Sequence, residues 1–164
     1  MGYTLGFATH FCLCFAVEPM DCPTDIVFVV DESGSIGSTL FDLMTVFLSQ
    51  LVSRLDIDSG KTRVGLITYS SNVGSGFNMS DYRTVNAVQS AISALTHTGV
   101  LTRTARALKY VRTTMLTTAA GDRGNVPNVV VVLTDGQSTN RRATRVSITD
   151  LQCLHVYFYH ARLC

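Results

Sequence analysis

Ile26-Val27-Phe28-Val29-Val30-Asp31-Glu32-Ser33-Gly34-Ser35-Ile36-Gly37 is the stretch on which the fold turns. Its first five residues are apolar without alternation, β-branched or aromatic, with Pro23 before them and Gly34 and Gly37 after. A strand that presents apolar side chains to both faces has to be covered on both, the condition met inside a parallel sheet. Past the glycines, Leu40, Met44, Phe47, Leu51 and Leu55 recur at helical spacing, with Ser38 or Thr39 available as N-cap. The first unit is strand, glycine turn, helix.

The same pattern continues outward. Val64, Leu66 and Thr68 alternate with Gly65, Ile67 and Tyr69, and Ser70-Ser71-Asn72 turns the chain into a short strand ending near Phe77, a hairpin. Val85, Val88, Ile92 and Leu95 predict one helix, and Leu108, Val111 and Met115 a second, with Thr96-His97-Thr98-Gly99 between them. Pro127 opens Val129-Val130-Val131-Val132-Leu133, again apolar throughout, which ends at Thr134-Asp135-Gly136. Strands alternating with helices predict an α/β fold, a doubly wound and mostly parallel central sheet with helices on both faces. Beyond Asn140 the pattern weakens: residues 141–148 carry weak helical periodicity, and Leu151 to Tyr159 read as one further strand.

Composition bounds the rest. The 164 residues, 46% of them apolar, suffice for one domain and for a packed core. A net charge of +1 offers no extended basic field, which sets aside nucleic acid and anionic lipid as partners held by charge alone. The longest apolar runs, 26–30 and 129–133, are too short for a transmembrane segment. The five cysteines, Cys12, Cys14, Cys22, Cys153 and Cys164, lie only near the two ends. A disulfide from Cys22 to Cys153 or Cys164 would clip the termini in an oxidising compartment, and unpaired thiols are the alternative. Residues 1–21 read as a degenerate secretory signal or an upstream segment, 22–140 as the domain core and 141–164 as a divergent tail.

Ligands of open α/β sheets sit beyond the carboxyl ends of the strands. Asp31 and Asp135 each follow an apolar strand directly, and Ser33 and Ser35 add alternate hydroxyls on a loop that Gly34 and Gly37 allow to turn tightly. Two carboxylates with hydroxyls on neighbouring strand ends suit a hard divalent cation, Mg2+ or Mn2+. The plainer alternative for Asp-x-Ser-x-Ser is a helix-capping loop. Asp25 and Glu32 read as solvated or structural, and His97, His155 and His160 receive no role. Arg103, Arg106, Lys109 and Arg112, three residues apart, read as a solvated helix face, with a patch for heparin or an acidic ligand as the alternative.

Three pieces together, Asp31-Glu32-Ser33-Gly34-Ser35, Thr102-x-Thr104-x-x-x-Leu108 and Leu133-Thr134-Asp135-Gly136, resemble the metal-ion-dependent adhesion site of von Willebrand factor A-type domains, as found in integrin inserted domains, matrilins and matrix collagens. The resemblance implies a Rossmann-like fold that is incomplete at its C-terminal end, a final strand and helix being missing. It implies that Ser33, Ser35 and Thr102 touch the cation, that Asp31 and Asp135 act mainly through water, and that an open position accepts a Glu or Asp carboxylate from a partner. The partner would be an extracellular matrix protein or receptor, and the protein a secreted, non-enzymatic adhesion module. A non-binding relic is the alternative. A metal-dependent hydrolase is disfavoured because Ser33 stands where a phosphatase of the haloacid dehalogenase kind has its second aspartate.

Overall fold

A computed structural model describes residues 22–99, 101–135, 140–150 and 155–160. The elements are β1 (Thr24–Asp31), α1 (Gly37–Val52), β2 (Thr62–Tyr69), β3 (Val73–Phe77), α2 (Val85–Ser93), α3 (Thr104–Tyr110), β4 (Asn128–Thr134), α4 (Arg141–Asp150) and β5 (His155–His160). The sheet runs in the order β3-β2-β1-β4-β5. β1 pairs in parallel with both β2 and β4, β5 in parallel with β4, and β3 closes one side antiparallel to β2. The expected doubly wound sheet is therefore present. The chain leaves β1 toward β2 and later returns to its other side as β4, so the topological switch point lies between β1 and β4.

The absence of alternation in 26–30 follows from the two layers that cover it. Phe28 and Val30 face α1 and α2, where they pack with Phe41, Met44, Leu48, Val88 and Ile92. Val27 and Val29 face the other way, with Val130 and Val132, onto Ala107, Leu108, Val111 and Met115. Both faces of β1 are dry, and burying each such side chain stabilises the fold by about 1.5–3 kcal/mol.

Some local expectations are corrected. α1 starts at Gly37, which takes a positive φ of 65°, and has no side-chain cap, so neither Ser38 nor Thr39 plays that part. The helix with Leu108, Val111 and Met115 does not stay α throughout. After Tyr110 it widens into a π turn over Val111–Met115, closed by Leu116 N–H donating to Val111 O at 2.9 Å. The Thr113 hydroxyl donates to Lys109 O at 3.0 Å, competing for a carbonyl the regular helix would use. Residues 141–150 do form a helix, and β5 extends the sheet from the Val129–His155 pair to the Thr134–His160 pair.

At the amino end of the strands, Asp25 is fully buried rather than solvated. Arg123 donates to its carboxylate from Nε at 2.9 Å and Nη2 at 2.6 Å, while the Arg123 backbone N–H reaches the second oxygen at 2.8 Å. The same guanidinium donates to Gly60 O and Lys61 O, so one side chain ties the starts of β1 and β2 to the loop before β4. Cys22, just before β1, is exposed. Its proposed partners Cys153 and Cys164 lie outside the described residues, as do Cys12, Cys14 and Gly136.

Candidate metal-binding site

Asp31 is the last residue of β1 and is fully buried. Its Oδ1 accepts the Ser33 backbone N–H at 2.9 Å, which curls the chain tightly out of the strand. Its Oδ2 accepts the Thr134 hydroxyl at 2.7 Å and lies 3.4 Å from the Tyr69 hydroxyl that donates to it. Thr134 ends β4 and Tyr69 ends β2, so the carboxyl ends of three adjacent strands converge on one carboxylate. Ser33 is buried, Ser35 is exposed, and their hydroxyls stand 3.2 Å apart. Asp135 follows Thr134 directly and is close enough for its charge to act on Asp31.

Residues 97–99 and 101–103 lie across the ends of β1 and β2, and Thr102 comes with them. Gly99 N–H donates to Glu32 O at 3.1 Å, Arg103 N–H donates to Ser70 O at 3.0 Å, and His97 Nε2 lies 3.0 Å from Ser33 O. Thr102 is half-buried on this segment, just ahead of α3. Thr104, at the first position of the helix, is buried with its hydroxyl 3.3 Å from that of Tyr69.

The family model for the von Willebrand factor type A domain matches residues 25–160. The chain belongs to this family. It is 35% identical to vitrin of Mus musculus over 138 residues, covering 84% of this chain and 21% of vitrin. It is 39% identical to integrin alpha-2 of Bos taurus over 127 residues, covering 76% of this chain and 11% of the integrin. With matrilin-1 of Homo sapiens it shares 32% identity over 137 residues, covering 84% of this chain and 28% of matrilin-1. The chain thus spans only a minor part of these relatives. Proximal thread matrix protein 1 from the mussel byssus has the same fold, with a TM-score of 0.76 at 23% identity over 84% of this chain and 37% of that one. Another structure of that protein has a zinc-occupied MIDAS motif.

In this von Willebrand factor type A domain, burial raises the Asp31 carboxyl above its ordinary range; the Ser33 and Thr134 hydrogen bonds oppose the rise, and the Asp135 charge adds to it. Glu32, 3% exposed, is likewise raised by burial, against hydrogen bonds from Thr68 and Thr98 and the influence of His97. Tyr69 is pushed well above the usual phenol range by burial and by the neighbouring Asp31, so it stays a donor. The donors gathered here are oxygens, and among the described residues no group of three His, Cys, Asp or Glu side chains is placed to hold a metal. A buried carboxylate with a second acid beside it and hydroxyls within reach fits a hard divalent cation, whose charge would offset both burial and repulsion.

The structure therefore unites Asp31, Ser33, Ser35 and Asp135 at the switch point and carries the Thr102 segment across it. Sequence reasoning missed Tyr69, Thr134 and His97, and left Glu32 open between a solvated and a structural part. Tyr69 is the register partner of Asp31, and Thr134 follows the Val30–Leu133 pair, so both become visible only once strand pairing is known.

Two outcomes follow at this site. Because the folded state holds Asp31 and Glu32 more strongly protonated than the unfolded chain, the contribution of these two groups to stability in EDTA is greatest below about pH 4 and is lost as pH rises through their raised values. The urea midpoint of wild type relative to an Asp31→Asn, Glu32→Gln variant should show that fall with pH, reduced in excess Mg2+ above the window and indifferent to Mg2+ below it. Separately, a Cβ on Gly99 would collide with Ser70 Cβ and with the Glu32 carbonyl oxygen. Gly99→Ala should therefore lift the Thr102 segment, costing about 1–3 kcal/mol in chemical denaturation and weakening Mg2+ binding at least tenfold by calorimetry.

Proposed function

We propose that this chain is an extracellular, cation-dependent interaction module of matrix or cell-adhesion type. Asp31, Ser33, Ser35, Thr102 and Asp135 hold Mg2+ or Mn2+, and the ion accepts a Glu or Asp carboxylate from a matrix protein or receptor. The observation that carries this reading is the Asp31 carboxylate, buried where three strand ends meet, bonded by the Ser33 N–H and the Thr134 and Tyr69 hydroxyls, with Asp135 as the acid beside it. With so few anionic donors around it, a bound cation retains enough attraction for an outside carboxylate.

Kinship with vitrin, integrin alpha-2 and matrilin-1 supports a secreted matrix or adhesion setting and a binding rather than catalytic role. The zinc-occupied relative supports divalent-cation binding and makes Zn2+ a necessary comparison beside Mg2+ and Mn2+. In the test, matrix proteins are immobilised and binding of the chain is followed in Mg2+ and in EDTA. Binding lost in EDTA and in Thr102→Ala, with the melting profile retained, is the expected result. Cation-independent binding would reject the mechanism.

A further inference from the structure

The net charge of +1 conceals a segregation across the sheet. α3 packs on the face that contains Val27 and Val29, and α4 lies against α3, with the Ser147 hydroxyl donating to Ala105 O at 3.3 Å. From this layer Arg103, Arg106, Lys109, Arg112, Arg142 and Arg145 emerge, all exposed. No acidic residue occurs from Leu101 to Gly121. On the opposite side, α1 and the loop after it carry Asp42, Asp56 and Asp58 against Arg54 and Lys61. Nearly half of the 13 basic residues thus stand on one face.

That face adjoins the candidate site. Arg103 is next to Thr102, α3 begins there, and α4 begins shortly after β4 ends at Thr134. Five of the six exposed cations are arginines, whose planar forks pair with carboxylates in bidentate fashion. Arg106 is already engaged through one nitrogen, Nη1, which donates to Ser71 O at 3.3 Å and to the Asn72 side chain, leaving the other face of its guanidinium outward.

We infer that the α3–α4 face is the second half of the binding surface and that the partner is an acidic protein segment. It presents one carboxylate to the cation and further Asp or Glu side chains to these arginines. This rests on the proposed function for its first carboxylate only; the basic face draws on separate residues. Charge complementarity selects the occupant, and continuity with a site suited to a carboxylate favours an acidic polypeptide over a sulfated polysaccharide.

The test uses the 164-residue chain with fluorescent poly-L-glutamate as probe, at about physiological ionic strength where weak long-range attraction is screened. The Lys109→Ser, Arg112→Ser, Arg142→Ser triple variant should bind the probe roughly tenfold more weakly, with a shallower salt dependence and an unchanged Mg2+ shift in Tm. Thr102→Ala should lose the Mg2+-dependent part of binding and keep the salt-sensitive part. If the triple variant binds like wild type while EDTA still abolishes binding, the basic face is unused and the proposal falls, with the cation mechanism standing. If the triple variant is weakened but EDTA changes nothing, the face stands and the cation mechanism falls. A heparin oligosaccharide that binds more tightly than poly-L-glutamate at matched charge would overturn the choice of an acidic protein.

Discussion

In EDTA at neutral pH, the Asp31→Asn variant should melt at or above the temperature of the wild-type domain, yet gain nothing from Mg2+. The wild-type carboxylate is buried and raised in pKa, so ionising it at about pH 7 costs folding free energy that a cation would return. Asparagine keeps Oδ1 for the Ser33 N–H, and its amide nitrogen replaces Oδ2, where the Thr134 and Tyr69 hydroxyls can turn from donating to accepting, so the positions stay hydrogen-bonded while the charge disappears. A site saturated to about a hundred times its Kd stabilises by about 2.7 kcal/mol. That is worth about 5–10 °C in Tm for a domain of this size. Differential scanning calorimetry with and without Mg2+ measures both halves. An apo variant that melts well below wild type, or one that still responds to Mg2+, would show that the Asp31 charge is not held for a cation.

Arg123→Ala should be the most destabilising single change away from the core. It leaves the fully buried Asp25 carboxylate with only the backbone N–H of residue 123 and strips Gly60 O and Lys61 O of a donor. Breaking a buried pair by removing one partner typically costs about 3–5 kcal/mol, because a charge is left without compensation. Guanidinium denaturation should report a loss in that range. Arg123→Lys should recover only part of it, since an ammonium cannot reach Asp25 and two carbonyls in the same fan. The folded fraction should bind Mg2+ as tightly as wild type, because this cluster lies at the end of the sheet opposite Asp31. A loss below about 1 kcal/mol would mean that the cluster is solvated enough to dispense with its arginine.

The parts of this domain that are legible in the sequence are those whose chemistry is local. The apolar runs 26–30 and 129–133 announce strands covered on both sides, and the aspartates that follow them mark the functional end of the sheet. The features that stay hidden depend on pairing. Tyr69 looks like one more alternating strand residue until register places it opposite Asp31. Asp25 reads as either a solvated or a structural acid until the loop before β4 brings Arg123, 98 residues along the chain, into contact with it. The π turn after α3 leaves no signature in the spacing of Leu108, Val111 and Met115, since all three remain buried in either helix geometry. Net charge misled in a different way. It sums over the molecule, and the sum of a basic layer and a mildly acidic one says little about either face.

The hydrogen bond from Thr134 to Asp31 joins residues 103 apart in sequence, and it closes only when β4 has docked beside β1. A nascent chain emerging from the ribosome holds the Asp31 loop long before its counterpart exists. The hydrogen-bonded cluster around Asp31 is therefore absent from every form in which β4 has not docked and complete only in the finished sheet. An ion held by this cluster would then act as a late selector, favouring chains in which the first and fourth strands have found each other.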